Sequence, residues 1–129
     1  MKITKLDHVN IRTAQLENMI SWYTDILGMT MGDRPYFPDP GAWMYVGDSA
    51  MVHLVSVDQS PQAGSEMSLK LEHFAFSATG GEEFIQRLRL KDIPYRRVDL
   101  PEIRIFLINL WDPDGNHIHV DFPLEEQSE

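Results

Sequence analysis

The 129-residue sequence contains no cysteine. Disulfides, thiolate metal sites, iron–sulfur clusters and a cysteine nucleophile are therefore excluded, and a metal ion must be held by histidine nitrogen. Positive charge is scarce: 11 Lys and Arg stand against 20 Asp and Glu, for a formal net charge of −9. That balance argues against binding to nucleic acid or to an anionic membrane surface, both of which need cationic contacts to phosphate. No apolar run approaches the ~20 residues needed to span a bilayer. Met1-Lys2-Ile3-Thr4-Lys5 enters an alternating segment without the basic, apolar and small-residue progression of a secretory signal. The expectation is a soluble cytoplasmic protein. Glu125-Glu126-Gln127-Ser128-Glu129 reads as a solvated acidic tail that accounts for part of the charge. A Gly-rich phosphate loop, a nucleophile elbow and an EF-hand pattern are all missing. What is present is an ordinary globular composition, 43% hydrophobic and 24% charged. The length suits one domain, residues 1–129, that folds without covalent staples.

The pattern along the chain occurs twice. Leu6-Asp7-His8-Val9-Asn10-Ile11-Arg12 alternates and predicts a strand over about 3–12. Leu16, Met19, Ile20, Tyr23, Ile26 and Leu27 form one helical stripe over 15–28, with Gly28 as its stop. A segment rich in Pro, Gly and aromatics, Gly32 to Gly41, precedes strands expected at 42–47 and 50–57, which flank a Gly47-Asp48 turn. Residues 58–67 read as a loop or linker. Leu71-Glu72-His73-Phe74-Ala75-Phe76-Ser77 then repeats the opening. A helix from about Gly81 to Lys91 follows, and strands at 103–111 and 117–122 flank Asp112-Pro113-Asp114-Gly115-Asn116. Both halves read β-α-β-β(-β), with modules at 1–57 and 68–124. The histidines give the offset. His8 and His73 are 65 positions apart, and His53 and His119 are 66 apart.

The two-residue period of a strand assigns faces. Leu6, His8, Asn10 and Arg12 lie opposite Asp7, Val9 and Ile11; Leu71, His73, Ala75 and Ser77 lie opposite Glu72, Phe74 and Phe76. Met51, His53 and Val55 share a face, and His117, His119 and Asp121 oppose Ile118, Val120 and Phe122. The apolar faces seat the helices. The opposite faces carry all four paired imidazoles, and two half-barrels with helices outside would present them on a concave sheet. Neutral imidazole is the commonest nitrogen ligand of Zn²⁺, Ni²⁺, Cu²⁺ and Fe²⁺, and three or four of them leave coordination positions for water or substrate. A strand histidine taken singly is an ordinary polar residue. The duplicated spacing is what makes His8, His53, His73 and His119 candidate metal ligands.

Weaker candidates surround this set. His117 has no counterpart in the first half, where Met51 occupies its position, and it receives no role. Asp121 is an acceptor behind His119, a base, or a solvated aspartate. Arg12 meets an anionic substrate or forms a rim ion pair. Tyr36, Phe37, Trp43 and Tyr45 line an apolar pocket or belong to the core. Arg96, Arg97 and Arg104 read as solvated strand-end charges. No catalytic residue is assigned.

Several of these segments resemble the vicinal oxygen chelate superfamily, the glyoxalase/bleomycin-resistance/extradiol-dioxygenase group. The resemblance rests on Leu6-Asp7-His8-Val9 and Leu71-Glu72-His73-Phe74, on Trp22-Tyr23-Thr24-Asp25-Ile26-Leu27-Gly28-Met29, and on Asp112-Pro113-Asp114-Gly115-Asn116 before Ile118. It implies an α+β fold of two βαβββ modules curving into a cup-shaped mixed sheet with helices outside. One metal ligand would come from the first and last strand of each module, which again selects His8, His53, His73 and His119. It implies a small-molecule substrate, a divalent metal and, in many members, a homodimer. The family pattern places a glutamate where His119 stands, and glyoxalase I has an acidic residue at the position of His53. Both are histidine in this chain, which argues against lactoylglutathione lyase activity. The carboxylate of a dioxygenase iron triad is missing as well unless Asp121 supplies it. An uncharged all-histidine set should favour Zn²⁺, Ni²⁺ or Fe²⁺ over Mg²⁺ or Mn²⁺. The implied function is a metal-dependent lyase, isomerase or dioxygenase; the alternative is a metal-free, bleomycin-resistance-like ligand-binding protein.

Overall fold

In this computed structural model, which describes residues 1–59 and 70–125, the first repeat folds as β1 (Val9–Thr13), α1 (Leu16–Asp25), β2 (Thr30–Gly32), β3 (Gly41–Val46) and β4 (Ser49–Ser56). The second folds as β5 (Phe74–Ser77), α2 (Gly81–Leu90), β6 (Arg96–Leu100), β7 (Ile105–Trp111) and β8 (His117–Pro123), with a 3₁₀ turn at Pro101–Ile103 between β6 and β7. The chain divides into two compact units, Met1–Gln62 and Ala63–Glu129. Each unit is a mixed four-stranded sheet with one helix, so the fold is α+β and built from two βαβββ modules. The loop expected at 58–67 lies outside the described residues from position 60 onward, as does the acidic tail beyond Glu125. No helix among the described residues is long and apolar enough to cross a membrane.

The two sheets share one topology, β1-β4-β3-β2 and β5-β8-β7-β6. In each, the first strand runs parallel to the last, and the remaining pairs are antiparallel. Burial follows the alternation. Val52 and Leu54 on β4 are fully buried with His53 half-exposed between them; Ile118, Val120 and Phe122 on β8 are buried around His119. Helix α1 turns Met19 and Tyr23 inward, towards a core that includes Ala42, Met44, Val52 and Leu54. Each such side chain contributes roughly 1.5–3 kcal/mol by leaving water. Gly28, at φ 72°, closes α1 in the left-handed conformation, with the Met29 N–H donating to the Tyr23 carbonyl at 3.0 Å.

Helix α2 buries Phe84, Ile85 and Leu88 against an aromatic sheet face. Phe122 lies 5.8 Å from Phe84 and 5.2 Å from Phe106, centroid to centroid. Gly81 is required there, since a Cβ at that position would meet Phe106 Cζ at 2.3 Å.

Two strands escape the sequence pattern, and both are edge strands. Thr30–Gly32 is exposed throughout, and Arg96-Arg97-Val98-Asp99-Leu100 is charged as protected edges are. Arg97 is more than a solvated charge, because its guanidinium lies 4.1 Å from the Phe106 ring centroid and 2.8 Å from Asp99. The opening strands are shorter than their alternating sequence suggests. Leu6–His8 and Leu71–His73 alternate without a ladder partner, so pairing starts only at Val9 and Phe74.

Candidate metal centre

Register brings the histidines together in pairs. On the parallel ladders Asn10 stands opposite His53, and Ala75 stands opposite His119. His8 and His73 lie two residues before Asn10 and Ala75, directly ahead of their strands. Each module therefore holds one imidazole from the entrance to its first strand and one from its last strand. The 65- and 66-residue spacings make His8 the counterpart of His73 and His53 the counterpart of His119, so each module holds one member of each sequence pair.

In the first module the pair is stacked. The rings of His8 and His53 are 3.9 Å apart and 10° from parallel. Trp43, opposite His53 on β3, stacks at 4.0 Å and 12°, so His53 is held between two flat rings. Phe37 continues the series, 6.4 Å from Trp43. Tyr36 is exposed, and Tyr45 directs its hydroxyl to the Asp33 carbonyl. His8 Nδ1 donates to Asp7 at 2.7 Å, and His53 Nε2 donates to the Ala50 carbonyl at 3.0 Å. His8 is thus left with Nε2 as its acceptor nitrogen and His53 with Nδ1. Burial, reinforced by neighbouring His8, pushes His53 below the ordinary imidazole range and favours its neutral, ligating form. The hydrogen bond from His8 holds the Asp7 carboxyl below its usual range.

The second module replaces the stack with a hydrogen-bonded cluster. His73 and His119 lie 4.4 Å apart at 43°. His119 Nδ1 donates to Asp121 at 2.6 Å, which makes Asp121 the acceptor behind His119. His73 Nδ1 donates to Glu72. Buried His117 lies 5.2 Å from His73, stacks on Trp111 at 5.2 Å and bonds Asn109 Oδ1 through Nε2 at 2.8 Å. Its Nδ1 faces the second oxygen of Glu72 at 3.2 Å. Hydrogen bonds from His73 and then His117 hold the Glu72 carboxyl below its usual range. Glu72, His73 and His117 each offer a ligand atom within 4.8 Å of the others.

Two expectations change. Strand alternation puts Asp7 and Glu72 on the helix side, yet both carboxylates reach histidines, because neither residue lies inside a strand where alternation holds. A carboxylate also joins the nitrogen donors, so a metal in this chain need not rest on histidine alone. His117, left without a role because the first module has Met51 in its place, belongs to the cluster. Its position two residues before His119 on one strand was the available signal. Glu72 gave none.

The donor chemistry fits a borderline divalent ion. Three of the four paired histidines commit Nδ1–H to a carboxylate, the arrangement that fixes a ligand's tautomer and turns Nε2 outward.

The sequence profile of the Glyoxalase/Bleomycin resistance protein/Dioxygenase superfamily matches residues 5–120. Comparison with curated protein sequences finds no match. Among solved structures, a glyoxylase/bleomycin resistance protein/dioxygenase domain from Frankia sp. EAN1pec is similar, with a TM-score of 0.78 and 18% identity over 95% of this chain and 93% of that one. A genomically encoded fosfomycin resistance protein from Listeria monocytogenes has a TM-score of 0.70 and 14% identity, covering 98% and 99%. An antibiotic-binding protein from Streptomyces sp. CB03234 has a TM-score of 0.68 and 17% identity, covering 95% and 98%. At these identities the structures establish likeness of fold.

Proposed function

The chain belongs to the Glyoxalase/Bleomycin resistance protein/Dioxygenase superfamily, and on that premise we propose a metal-dependent enzyme acting on a small oxygenated substrate. His8, His53, His73 and His119 are the proposed ligands of Zn²⁺, Ni²⁺ or Fe²⁺, one pair from each module. The observation that carries this reading is the carboxylate behind three of them, Asp7, Glu72 and Asp121. Asp7 and Asp121 orient His8 and His119, while Trp43 fixes the plane of His53. When bound, the ion would supply Lewis-acid polarisation of a substrate oxygen. The reading extends to a homodimer, which light scattering tests.

Elemental analysis of protein purified without a chelating tag, with thermal unfolding under added Zn²⁺, Ni²⁺ or Fe²⁺, tests the proposal. The expected result is bound metal and stabilisation of about 2.7 kcal/mol at a metal concentration 100 times Kd. Protein without metal that none of the three ions stabilises would overturn it.

A second reading, a metal-free ligand-binding protein, is favoured by the series of flat rings Phe37, Trp43, His53 and His8 and by likeness to an antibiotic-binding protein. His53→Ala and His73→Ala separate the two readings. Ligand capture without metal survives both substitutions; metal-dependent action survives neither.

A further inference from the structure

The second module carries a feature that its counterpart lacks: Glu72, which the four-histidine reading places only behind His73, also reaches His117, which that reading does not use. Asn109 donates through Nδ2 to the Arg96 carbonyl at 3.1 Å, which fixes its amide and leaves Oδ1 to accept from His117 Nε2–H. The remaining nitrogen, Nδ1, points at a Glu72 oxygen 3.2 Å away. That nitrogen donates to Glu72 when it carries a proton; when it does not, the nitrogen and the carboxylate oxygen are two donors that a cation between them would hold. The other Glu72 oxygen is on His73, so one carboxylate bridges two imidazoles. His117 is held by Trp111 and Asn109, while Glu72 and His73 are exposed and can adjust.

We propose that Glu72, His73 and His117 form a divalent transition-metal site of their own, contained within the second module and independent of His8 and His53. One carboxylate and two imidazoles make a donor set suited to Zn²⁺ or Fe²⁺, with positions left for water or a substrate oxygen. Ligand atoms on one ion lie at most about 4.2 Å apart. The three atoms already lie within 4.8 Å of one another, so a small rotation of Glu72 or His73 closes the set. The rigid member is His117, whose ring is held by Asn109 and Trp111 before any ion arrives. Asn109 is therefore a positioning residue for this site, in the way that carboxylates position the paired histidines. The site does not require the four-histidine reading to be correct.

The test is Zn²⁺ titration of the full chain by calorimetry, in competition with a chromophoric chelator. The background is His8→Ala/His53→Ala, which removes the first module's imidazoles. The double variant should still bind about one Zn²⁺ per chain. Adding Glu72→Gln or His117→Ala should weaken that binding by more than the about 10- to 100-fold typical of losing an outer partner. His117 is buried, so Glu72→Gln at an exposed side chain keeps the test decisive if His117→Ala does not fold. If the wild type binds Zn²⁺ and the double variant does not, the inference falls and the four-histidine reading stands. If the double variant binds but ignores Glu72→Gln, the inference also falls. A wild type that binds no Zn²⁺ overturns both.

Discussion

The two modules have the same strand order and place their paired histidines at matching positions, yet they surround them differently. Opposite the last-strand histidine, β3 offers Trp43 in the first module and β7 offers Asn109 in the second. The tryptophan stacks on His53, and with His8 it makes a column of flat rings. The asparagine reaches along the sheet to His117, and with Glu72 it makes a polar network. One topology thus supports two ways of fixing an imidazole, by faces or by hydrogen bonds. A ring stack sets the plane of a histidine and leaves its tautomer to a local acceptor. A network sets the tautomer itself, at the cost of buried groups that must all be satisfied.

Substitutions can break this contrast, starting from the packing beneath each site. Phe122→Ala should cost about 3–5 kcal/mol in urea unfolding, because Phe122 packs on both Phe84 and Phe106. A loss below about 1 kcal/mol would mean that the aromatic face of the second module is not its core. Asn109→Leu should cost about 1–3 kcal/mol by stranding His117 Nε2–H and the Arg96 carbonyl, measured in the same way. An unchanged midpoint would show that the network carries no stability. Trp43→Leu, the matching change in the first module, should cost only about 0.5–1.5 kcal/mol beyond the lost burial. If Trp43→Leu, after subtraction of the lost burial, still proves the more damaging of the two substitutions, the proposed division between stack and network is wrong.

The smallest expected effect is a pH dependence that differs between modules. His53 in the folded chain binds its proton less readily than its ordinary value of 6.5. The unfolded chain therefore takes up more protons as pH falls below about 6.5, and stability declines until the lowered folded pKa is passed. Glu72 is also lowered, from 4.5, so the stability it contributes persists above that value and is lost as the pH falls below it. Thermal melts of metal-free protein from pH 8 to 3 should show both losses. His53→Phe, which keeps a flat ring, should remove the upper loss and leave the lower one. If the upper loss persists in His53→Phe, it belongs to another group.

Much of this was legible in the chain. The alternation of β4 and β8 gives their buried faces residue by residue, and Gly28 ends the first helix where a glycine stop is expected. The histidine spacing marked equivalent positions in the two modules, because a duplicated topology converts equal sequence offsets into equal register. The edge strands at Thr30–Gly32 and Arg96–Leu100 were not legible. An edge strand is stabilised by one neighbour and by solvent exposure, so its residues need carry no apolar period. Asp7 and Glu72 were misplaced for a related reason, and His117, inside β8, was passed over because the first module has Met51 in its place. Strand periodicity predicts where a side chain points only inside a strand, and Asp7 and Glu72 stand just outside one.

The sequence by itself determined the absence of thiolate chemistry, the division into two βαβββ modules, and the four histidines that recur at one offset. These follow from composition and from periods that any folded chain must respect. Only the tertiary structure decided which acceptor each imidazole meets. It decided that Trp43 holds His53 in place and that Glu72 joins His73 to His117 across 45 residues of chain. Such contacts depend on cross-strand register and on side chains at strand entrances. Neither leaves a periodic trace in the sequence.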